Sequence, residues 1–372
     1  MKIVEVLFTL ESGGAERFVV DLSNELSSTC DVVLLTLKDD TKNCEKRNFY
    51  KFDLAENVEY RNLGLPDSFS VGTWFKIYNE IRKLNPDVVH LNAKTAFQFC
   101  ALAVFLLSGK IHFYETIHND LHNGYTTFAN KLMFNTVGRW KRIKYIALSQ
   151  TNYEDMKKEY PYCDISCIVN GRARIVPTTL FDKVKREIAK YRTDDNTKVF
   201  LHVARCNIQK NQSLLIHAFN EAIAKGVNVQ LLIVGAGFDT QEGEKLKNIA
   251  EKNIHFLGTR KNISDYMLNV DAFCLSSIYE GMPITLLEAS LAGIPCVSTP
   301  VCGSVDLIKN GLNGYLCKDF SVKEYVTTIE LTVRNYASLK FNAEKMKENS
   351  PYTIKECAKK YLDLFQEKYR KI

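Results

Sequence analysis

Residues 277–295 read SIYEGMPITLLEASLAGIP, and their pattern predicts a strand end, a loop, a helix and the start of another strand. Pro283 suits the first turn of this helix, because its ring fixes φ and it has no N–H to leave unpaired. Gly293 suits the position just after the helix. The free N–H groups of residues 284–286 would then point at an anion. This stretch therefore predicts a strand–helix–strand unit with an anion site at the helix start.

The rest of the chain repeats this alternation of short apolar runs with longer amphipathic segments, which is typical of a parallel sheet covered by helices. The predicted strands form two series, at 3–8, 31–37, 87–91, 111–117 and 145–148, and then at 199–204, 229–234, 254–257, 272–275 and 296–298. A chain of 372 residues exceeds what one core usually organises. The pattern therefore predicts two α/β domains.

The boundary between the two series lies near Asn170-Gly171 and Pro177, which are turn-forming residues and predict a hinge. We therefore place an N-terminal domain at residues 1–175 and a C-terminal domain at 176–351. The helical period of the last segment, residues 352–372, predicts a helix that packs back on the N-terminal domain.

Composition excludes several classes of protein. Apolar residues make up 46% of the chain and charged residues 25%, as in soluble globular proteins. The net charge of +6 is not concentrated along one helix, so no nucleic-acid partner is expected. Eleven cysteines without a Cys-x-x-Cys pair indicate neither a disulfide framework nor a zinc site.

The start of the chain runs directly into a strand without a leader, so we expect a cytoplasmic protein. The most apolar stretch, 97–107, is too short to span a bilayer and predicts a buried helix. One acid-free basic segment predicts peripheral contact with anionic lipid at the inner face of the membrane, a solvated helix being the alternative. Its residues are Lys131, Arg139, Trp140, Lys141, Arg142 and Lys144.

Charged residues follow two predicted strands of the second domain, and ligands bind at the carboxyl ends of strands in open α/β sheets. Arg205 and Lys210 follow strand 199–204, where they could neutralise a diphosphate or be solvated surface cations. Glu280 lies before the helix of the quoted stretch and Glu288 inside it. Taken singly, the first acid could merely compensate the helix dipole, and the second could be solvated.

The first domain carries a glycine pair, Gly13-Gly14, which follows the first strand and opens a predicted helix. Glycines at this position let the backbone approach a phosphate or a sugar closely. A tight turn that needs glycine is the alternative.

Glu280 and Glu288 are spaced as Glu-x7-Glu. At this element the chain closely resembles the retaining glycosyltransferases of family 4 (glycosyl transferases group 1), which carry the same element. Its context is Ser-x-x-Glu-Gly-x-Pro and Leu-Glu-Ala-x-x-Ala-Gly-x-Pro. That family has the α/β GT-B fold, in which two Rossmann-like domains with parallel sheets face each other across a cleft. The supporting matches span nearly the whole chain: Gly13-Gly14-Ala15-Glu16-Arg17, Ala147-Leu148-Ser149, Val169-Asn170-Gly171, Arg205 with Lys210, Val234-Gly235-Ala236-Gly237 and Phe256-Leu257-Gly258.

The resemblance implies a role for each matching residue. Arg205 and Lys210 would bind the donor diphosphate, Glu288 the ribose hydroxyls and Glu280 the hydroxyls of the transferred sugar. Gly258 to Arg260 would lie near the base. The other implied donor-binding residues are Gly13, Gly14, Gly281, Met282, Pro283, Ile284 and Gly303. The first domain would bind the acceptor and the second the donor.

His118 follows a strand at the position where the family carries a histidine that faces the donor sugar. His90, close to another strand end, is the rival. We therefore expect the catalytic residues to be His118, Glu280, Arg205 and Lys210. One departure concerns Gly303 and Asp306, which stand where the family often has two glycines and a glutamate, so contacts there are expected to differ.

No Asp-x-Asp pair occurs in the chain, which disfavours the metal-dependent glycosyltransferases and leaves cations and helix dipoles to stabilise the leaving group. We expect no metal site and no cofactor, and the most strongly expected donor is a UDP-sugar. The expected reaction is retaining transfer of a hexosyl or N-acetylhexosaminyl group to a glycan or lipid-linked acceptor in bacterial surface polysaccharide synthesis, as in capsule or lipopolysaccharide. The alternatives are a sugar-nucleotide epimerase of the same architecture and a non-catalytic sugar-nucleotide-binding subunit.

Overall fold

The computed structural model describes residues 1–68, 70–92, 96–118, 132, 134, 136, 140 and 143–367. The chain forms two compact units. Unit 1 comprises Met1–Ala173 together with the segment that starts at Tyr352, and unit 2 comprises Arg174–Pro351.

Unit 1 is built on a seven-stranded parallel sheet with the strand order β3-β2-β1-β4-β5-β6-β7. Its strands are β1 (Lys2–Leu7), β2 (Asp31–Lys38), β3 (Val58–Leu65), β4 (Val88–Leu91), β5 (His112–Ile117), β6 (Lys144–Ala147) and β7 (Asp164–Cys167). Its described helices are α1 (Gly14–Leu26), α2 (Cys44–Arg47), α3 (Val71–Leu84), α4 (Ala96–Leu107), α5 (Gln150–Glu159) and, at the end of the chain, α14 (Ile354–Gln366).

Unit 2 is built on a six-stranded parallel sheet with the order β10-β9-β8-β11-β12-β13. Its strands are β8 (Lys198–Val203), β9 (Val229–Val234), β10 (Ile254–Gly258), β11 (Ala272–Leu275), β12 (Cys296–Ser298) and β13 (Gly314–Leu316). Its helices are α6 (Phe181–Ala189), α7 (Gln212–Ala224), α8 (Gln241–Asn248), α9 (Ile263–Asn269), α10 (Ile284–Ala292), α11 (Ser304–Leu307), α12 (Val322–Arg334) and α13 (Tyr336–Glu348).

Every predicted strand is present, and the central ones are apolar because helices cover both faces of a parallel sheet. Three further strands, β3, β7 and β13, were missed. They lie at the edges of their sheets, where one side of the strand is unpaired. Their residues are therefore only partly buried, and the continuous apolar run that marks a central strand is absent.

The predicted buried helix at 97–107 forms, as α4, and most of its apolar residues are buried, but its last turn is not. Phe105 and Leu106, in its last turn, are 49% and 55% exposed. The first turns of α4 are packed in the core of unit 1, and Trp74 of α3 donates its indole N–H to the backbone oxygen of Gln98 (2.7 Å). No helix in the described ranges is long and apolar enough to cross a bilayer.

The end of the chain is joined to the rest of unit 1 by backbone and side-chain hydrogen bonds. Arg172 donates its N–H to the Tyr352 oxygen (3.0 Å), and Ile354 donates to the Arg172 oxygen (2.9 Å). Further along α14, the Leu364 oxygen accepts the hydroxyl of Tyr114 on β5 (3.3 Å). These contacts place α14 against the sheet of unit 1.

Candidate active site

The loop after β8 holds Lys210 in a short 3₁₀ turn, Ile208–Lys210. The side chain of Asn207 begins this turn by accepting the N–H of Gln209 (2.9 Å). Asn211 then takes a left-handed backbone, with φ of 49°, and α7 follows at once. Asparagine tolerates that conformation better than most residues. The local sequence thus sets where Lys210 sits at the carboxyl end of the sheet.

Three hydrogen bonds tie this loop to the loop that follows the neighbouring strand, β11. Ile278 donates its N–H to the Gln209 oxygen (2.8 Å), and the Gln209 amide donates to the Tyr279 oxygen (2.8 Å). The Ser276 hydroxyl donates to the Lys210 oxygen (2.7 Å). The two loops therefore hold each other in place, although they are about 70 residues apart in sequence.

Lys210 and Glu280, which sequence analysis singled out separately, form a hydrogen-bonded ion pair. The Lys210 ammonium lies 2.6 Å from Glu280 Oε1, and the same oxygen accepts the hydroxyl of Ser277 (2.7 Å). The Glu280 side chain is 10% exposed, whereas the Lys210 side chain is 26% exposed. We call Lys210, Glu280 and Ser277 the ion-pair cluster. Ser277 was not predicted as a site residue, although it is the serine of the Ser-x-x-Glu context.

Glu288 lies in α10, and its burial rules out the alternative that it is a solvated helix residue. Glu288 is 9% exposed, among buried residues of the same helix. The helix ends at Ala292 before Gly293, as predicted, but it begins at Ile284, so Pro283 lies just before the helix in an extended conformation and not in its first turn. Glu288 is the charged residue of this helix, and a buried carboxylate must be compensated by its surroundings.

Gly303 brings the segment after β12 against the start of α10. Its φ of +75° favours glycine, and an added Cβ would lie 2.8 Å from Pro283 Cδ and 2.9 Å from the Cα of Met282. The single glycine found here, in place of two, therefore permits this close approach. Gly281 and Met282 are buried beside it.

The remaining unit 2 candidates lie at the ends of strands nearby. Arg205 is exposed, and its backbone oxygen accepts the amide of Gln212 (2.9 Å). Gly258 ends β10, and its oxygen accepts the N–H of Gly235 (3.0 Å). Arg260 donates from Nε to the hydroxyl of Tyr266 (3.0 Å). Arg260 is thus oriented by a tyrosine that sequence analysis did not identify.

His202, at the end of β8, is a buried histidine that sequence analysis also missed. Its Nδ1 lies 3.0 Å from the backbone oxygen of Cys274, so this nitrogen carries the proton. Burial, reinforced by the nearby Lys210 and partly opposed by the hydrogen bond to the Cys274 oxygen, lowers the pKa of His202 to about 4. The ring is therefore neutral at pH 7 and adds no charge next to Lys210.

In unit 1, the glycine pair opens α1 as predicted. Gly13 precedes the helix in an extended conformation and Gly14 is its first residue. The carboxylate of Glu16, in the first turn, occupies the space that a Cβ on Gly13 would need. An acidic group at this position is favoured by the helix dipole.

His118 directly follows β5, and its Nε2 lies 3.2 Å from Asn92 Oδ1. Its ring packs edge-on against Phe18 of α1, with the centroids 5.8 Å apart. Burial, reinforced by the nearby His90, lowers the pKa of His118 to about 3, so the imidazole is neutral at physiological pH. The rival, His90, is fully enclosed by the protein.

Most of the basic segment predicted to contact lipid, including Lys131, Arg139, Lys141 and Arg142, lies outside the described residues. Trp140 is 57% exposed. Lys144 belongs to β6 and lies 3.5 Å from Glu367 and 3.7 Å from Asp164, so acids outside the segment partly compensate its charge. These acids are distant in sequence, which is why the local pattern did not show them. Among the described residues, no cluster of histidine, cysteine or acidic side chains could hold a metal ion.

Two parallel-sheet α/β units define the class of this protein as GT-B, and solved structures confirm this fold. Anabaena HepE in complex with UDP and glucose superposes with a TM-score of 0.77 at 20% identity, covering 99% of this chain and 100% of that chain. WaaG, a glycosyltransferase involved in lipopolysaccharide biosynthesis, superposes with a TM-score of 0.73 at 15% identity, covering 98% and 100%.

Family models then identify the particular group. The model described as "Glycosyl transferases group 1" matches residues 183–351, and "Glycosyltransferase Family 4" matches residues 12–172. The chain therefore belongs to the family 4, group 1 glycosyltransferases, and it is a glycosyltransferase.

Two relatives illustrate the breadth of the family. An uncharacterized glycosyltransferase of Haemophilus influenzae is 25% identical over 340 residues, covering 87% of this chain and 88% of the relative. The UDP-Gal:alpha-D-GlcNAc-diphosphoundecaprenol alpha-1,3-galactosyltransferase of Escherichia coli is 26% identical over 274 residues, covering 68% of each.

Proposed function

We propose that this protein transfers a hexosyl or N-acetylhexosaminyl group from a UDP-sugar to a glycan or lipid-linked acceptor, with retention of anomeric configuration and without a metal ion or cofactor. The observation that carries the proposal is the ion-pair cluster, which holds a cation and a carboxylate together at the ends of β8 and β11. The transfer would serve bacterial surface polysaccharide synthesis.

The cation of the cluster suits the leaving group of this reaction. Breaking the anomeric bond leaves negative charge on a diphosphate, so fixed positive groups lower the barrier. Lys210 is held in place by the backbone bonds of its loop, and Arg205 lies on the same loop. The free N–H groups at the start of α10 favour the same anion. We propose that these groups stabilise the diphosphate without a metal.

The carboxylates and the neutral histidine suit the sugar and the ribose. Glu280 and Glu288 are acceptors for hydroxyl groups of the transferred sugar and the ribose, respectively, and His118 hydrogen-bonds the sugar. In the proposed retaining step, the acceptor oxygen bonds to the anomeric carbon on the face from which the diphosphate leaves. The acceptor's proton passes to a leaving phosphate oxygen. No protein nucleophile is assigned.

Relatives support the donor and acceptor classes. The E. coli relative is named for UDP-galactose and a diphosphoundecaprenol acceptor. A Campylobacter jejuni relative, 24% identical over 228 residues, is named for transfer of N-acetylgalactosamine to a diphospho-undecaprenol-linked sugar. On this basis we propose a polyprenyl-diphosphate-linked acceptor, used at the cytoplasmic face of the membrane.

A thermal-shift experiment in EDTA tests the donor site. We expect UDP and one UDP-sugar to raise the melting temperature more than GDP or ADP, because a ligand at 100 times its Kd adds about 2.7 kcal/mol. The shift should be lost in Glu288→Ala and in Arg205→Ala. Glu221→Ala, which removes an exposed glutamate of α7, is the control and should keep it.

The outcomes of that experiment separate the competing functions. If no nucleotide stabilises the protein at millimolar concentration, the donor site is wrongly placed. If the donor binds and is converted to an epimer without any acceptor, the protein is an epimerase. Binding without turnover against a panel of lipid-linked acceptors would indicate a non-catalytic subunit. With a productive acceptor, the anomeric coupling constant in the product's NMR spectrum tests retention.

We further propose that unit 1 contacts an anionic membrane surface near Trp140. Trp140 and Phe105 are both about half exposed, and their ring centroids lie 5.7 Å apart. Aromatic side chains favour the membrane interface. We expect Trp140→Ser to bind phosphatidylglycerol vesicles several-fold more weakly in a sedimentation assay, whereas Phe341→Ser, which removes an exposed aromatic ring in unit 2, does not. Equal binding by the three proteins would contradict this contact.

A further inference from the structure

A chain of buried polar groups lies beneath His118, at the carboxyl ends of β1, β4 and β5. Asn92, directly after β4, contacts His118 on one side, and its amide nitrogen lies 2.6 Å from Glu5 Oε2 on the other. Glu5 in turn lies 2.8 Å from His90 Nδ1. Glu5, His90 and Asn92 are all inaccessible to solvent.

The orientation of the Asn92 amide follows from its neighbours. Its nitrogen is within hydrogen-bonding distance of two groups that accept, the Glu5 carboxylate (2.6 Å) and the backbone oxygen of His90 (3.2 Å). A flipped amide would place oxygen against oxygen at both contacts. The amide nitrogen therefore faces Glu5, and the amide oxygen must face His118.

The amide oxygen can only accept a hydrogen bond, so the His118 nitrogen that faces it must donate one. His118 Nε2 lies 3.2 Å from that oxygen, which assigns the proton of the neutral ring to Nε2. The other ring nitrogen, Nδ1, then carries a lone pair. It can accept a hydrogen bond from a hydroxyl group but cannot donate one.

We infer that Asn92, itself held by Glu5, is a positioning residue that fixes the Nε2–H tautomer of His118 and so presents Nδ1 as an acceptor for a hydroxyl of the donor sugar. This inference rests on the proposed function, because it assigns the use of Nδ1 to the sugar. In the opposite tautomer, Nδ1 would carry the proton and would donate a hydrogen bond to that hydroxyl. Nε2 would then present a lone pair to the lone pairs of the Asn92 oxygen, which is repulsive. Residues that orient a functional histidine commonly affect activity by about 10- to 100-fold.

The first test reads the tautomer directly and needs no substrate. In long-range ¹H–¹⁵N spectra of the full-length protein, we expect His118 to show a protonated Nε2 and an unprotonated Nδ1 at pH 7. The His118 signals are assigned by their absence from His118→Ala. In Asn92→Leu, which removes the acceptor, the signals should shift toward a mixture of tautomers. A single Nδ1–H tautomer in the wild-type protein would overturn the inference.

The second test is a double-mutant cycle on transfer activity. We expect Asn92→Leu to lower kcat about 10-fold. In the His118→Ala background the same substitution should change kcat less than about 2-fold, because a residue that acts through His118 has nothing left to orient. Equal losses in both backgrounds would show that Asn92 supports only the fold, and the positioning role would be abandoned.

Tyr361→Phe is the matched control for disturbance of the buried polar groups. The Tyr361 hydroxyl lies 3.0 Å from Thr116 Oγ1, and Thr116 lies 2.7 Å from His90 Nε2, so the removed group is at the far end from His118. We expect unchanged kcat and an unchanged His118 tautomer. If the NMR result holds but His118→Ala transfers sugar at the wild-type rate, the tautomer assignment stands and the sugar contact of the inference is wrong. Failure of the proposed donor site would be seen separately, as the absence of any nucleotide-dependent stabilisation in the thermal-shift experiment.

Discussion

Replacing Lys210 with alanine lowers kcat about 100-fold while the protein stays folded, because the reaction then lacks one fixed cation at the diphosphate. The Lys210 ammonium lies 2.6 Å from Glu280, an ion pair that helps to fix its position at the carboxyl end of the sheet. Steady-state kinetics with saturating donor measure the effect, and circular dichroism checks the fold.

Lys225→Ala is the matched control for this substitution. Lys225 also forms an ion pair in unit 2, with Glu221 at 2.8 Å, but it lies at the solvent-exposed end of α7. We expect its replacement to leave kcat unchanged. Lys210→Arg should recover only part of the activity, since a planar guanidinium does not place its charge where a compact ammonium does. Wild-type turnover by Lys210→Ala would refute the role of the cation.

Glu280→Ala lowers kcat/KM by roughly 10- to 150-fold, because a hydrogen bond to a charged acceptor contributes about 1.5 to 3 kcal/mol and Glu280 is proposed to bind sugar hydroxyls. The loss should appear in binding as well. Calorimetry is expected to show weaker binding of the UDP-sugar and nearly unchanged binding of UDP, which has no sugar for Glu280 to contact. Glu288→Ala, by contrast, should weaken both.

Glu280→Gln separates the charge of the residue from its contribution to the local structure. The glutamine oxygen can still accept from Lys210 and from Ser277, which lie 2.6 Å and 2.7 Å from Glu280 Oε1 in the wild-type protein. We therefore expect a correctly folded variant with intermediate activity. If both Glu280 variants weaken UDP and UDP-sugar binding equally, the residue supports the nucleotide site as a whole and is not a sugar ligand.

The central strands of both sheets were predictable from sequence because a parallel strand that is buried on both faces must be apolar throughout. Three of the four edge strands, β3, β7 and β13, were missed, because their partly exposed residues interrupt the apolar run. The fourth edge strand, β10, was predicted because residues 254, 256 and 257 are apolar. The apolar composition of α4 likewise did not predict that Phe105 and Leu106 are exposed. Burial of a residue in the last turn of a helix depends on what packs there, which a local window does not contain.

The candidate donor-site residues were found from sequence because strand ends and helix starts are recognisable positions. Their partners were not found. Ser277 contacts Glu280 within the loop after β11, although nothing in the sequence marked this serine as a partner. Gln209 joins that loop to the loop after β8, a contact between segments far apart in the chain. Asn92 directly follows β4, and Glu5 is a charged residue within the apolar strand β1, so the sequence marked both positions as unusual. Neither feature indicated which side chains would meet.

The sequence alone determined the class of fold, the family and the positions at which charged residues leave the strands, because these depend on local periodicity and on the spacing of Glu280 and Glu288. Only the tertiary structure decided that Lys210 pairs with Glu280, that Glu288 is buried and that Asn92 faces His118 with its oxygen. Such pairings depend on strand order, which brings β11 beside β8 and β4 beside β1. The order of strands in a sheet arises from packing of the whole domain and leaves no local pattern in the chain.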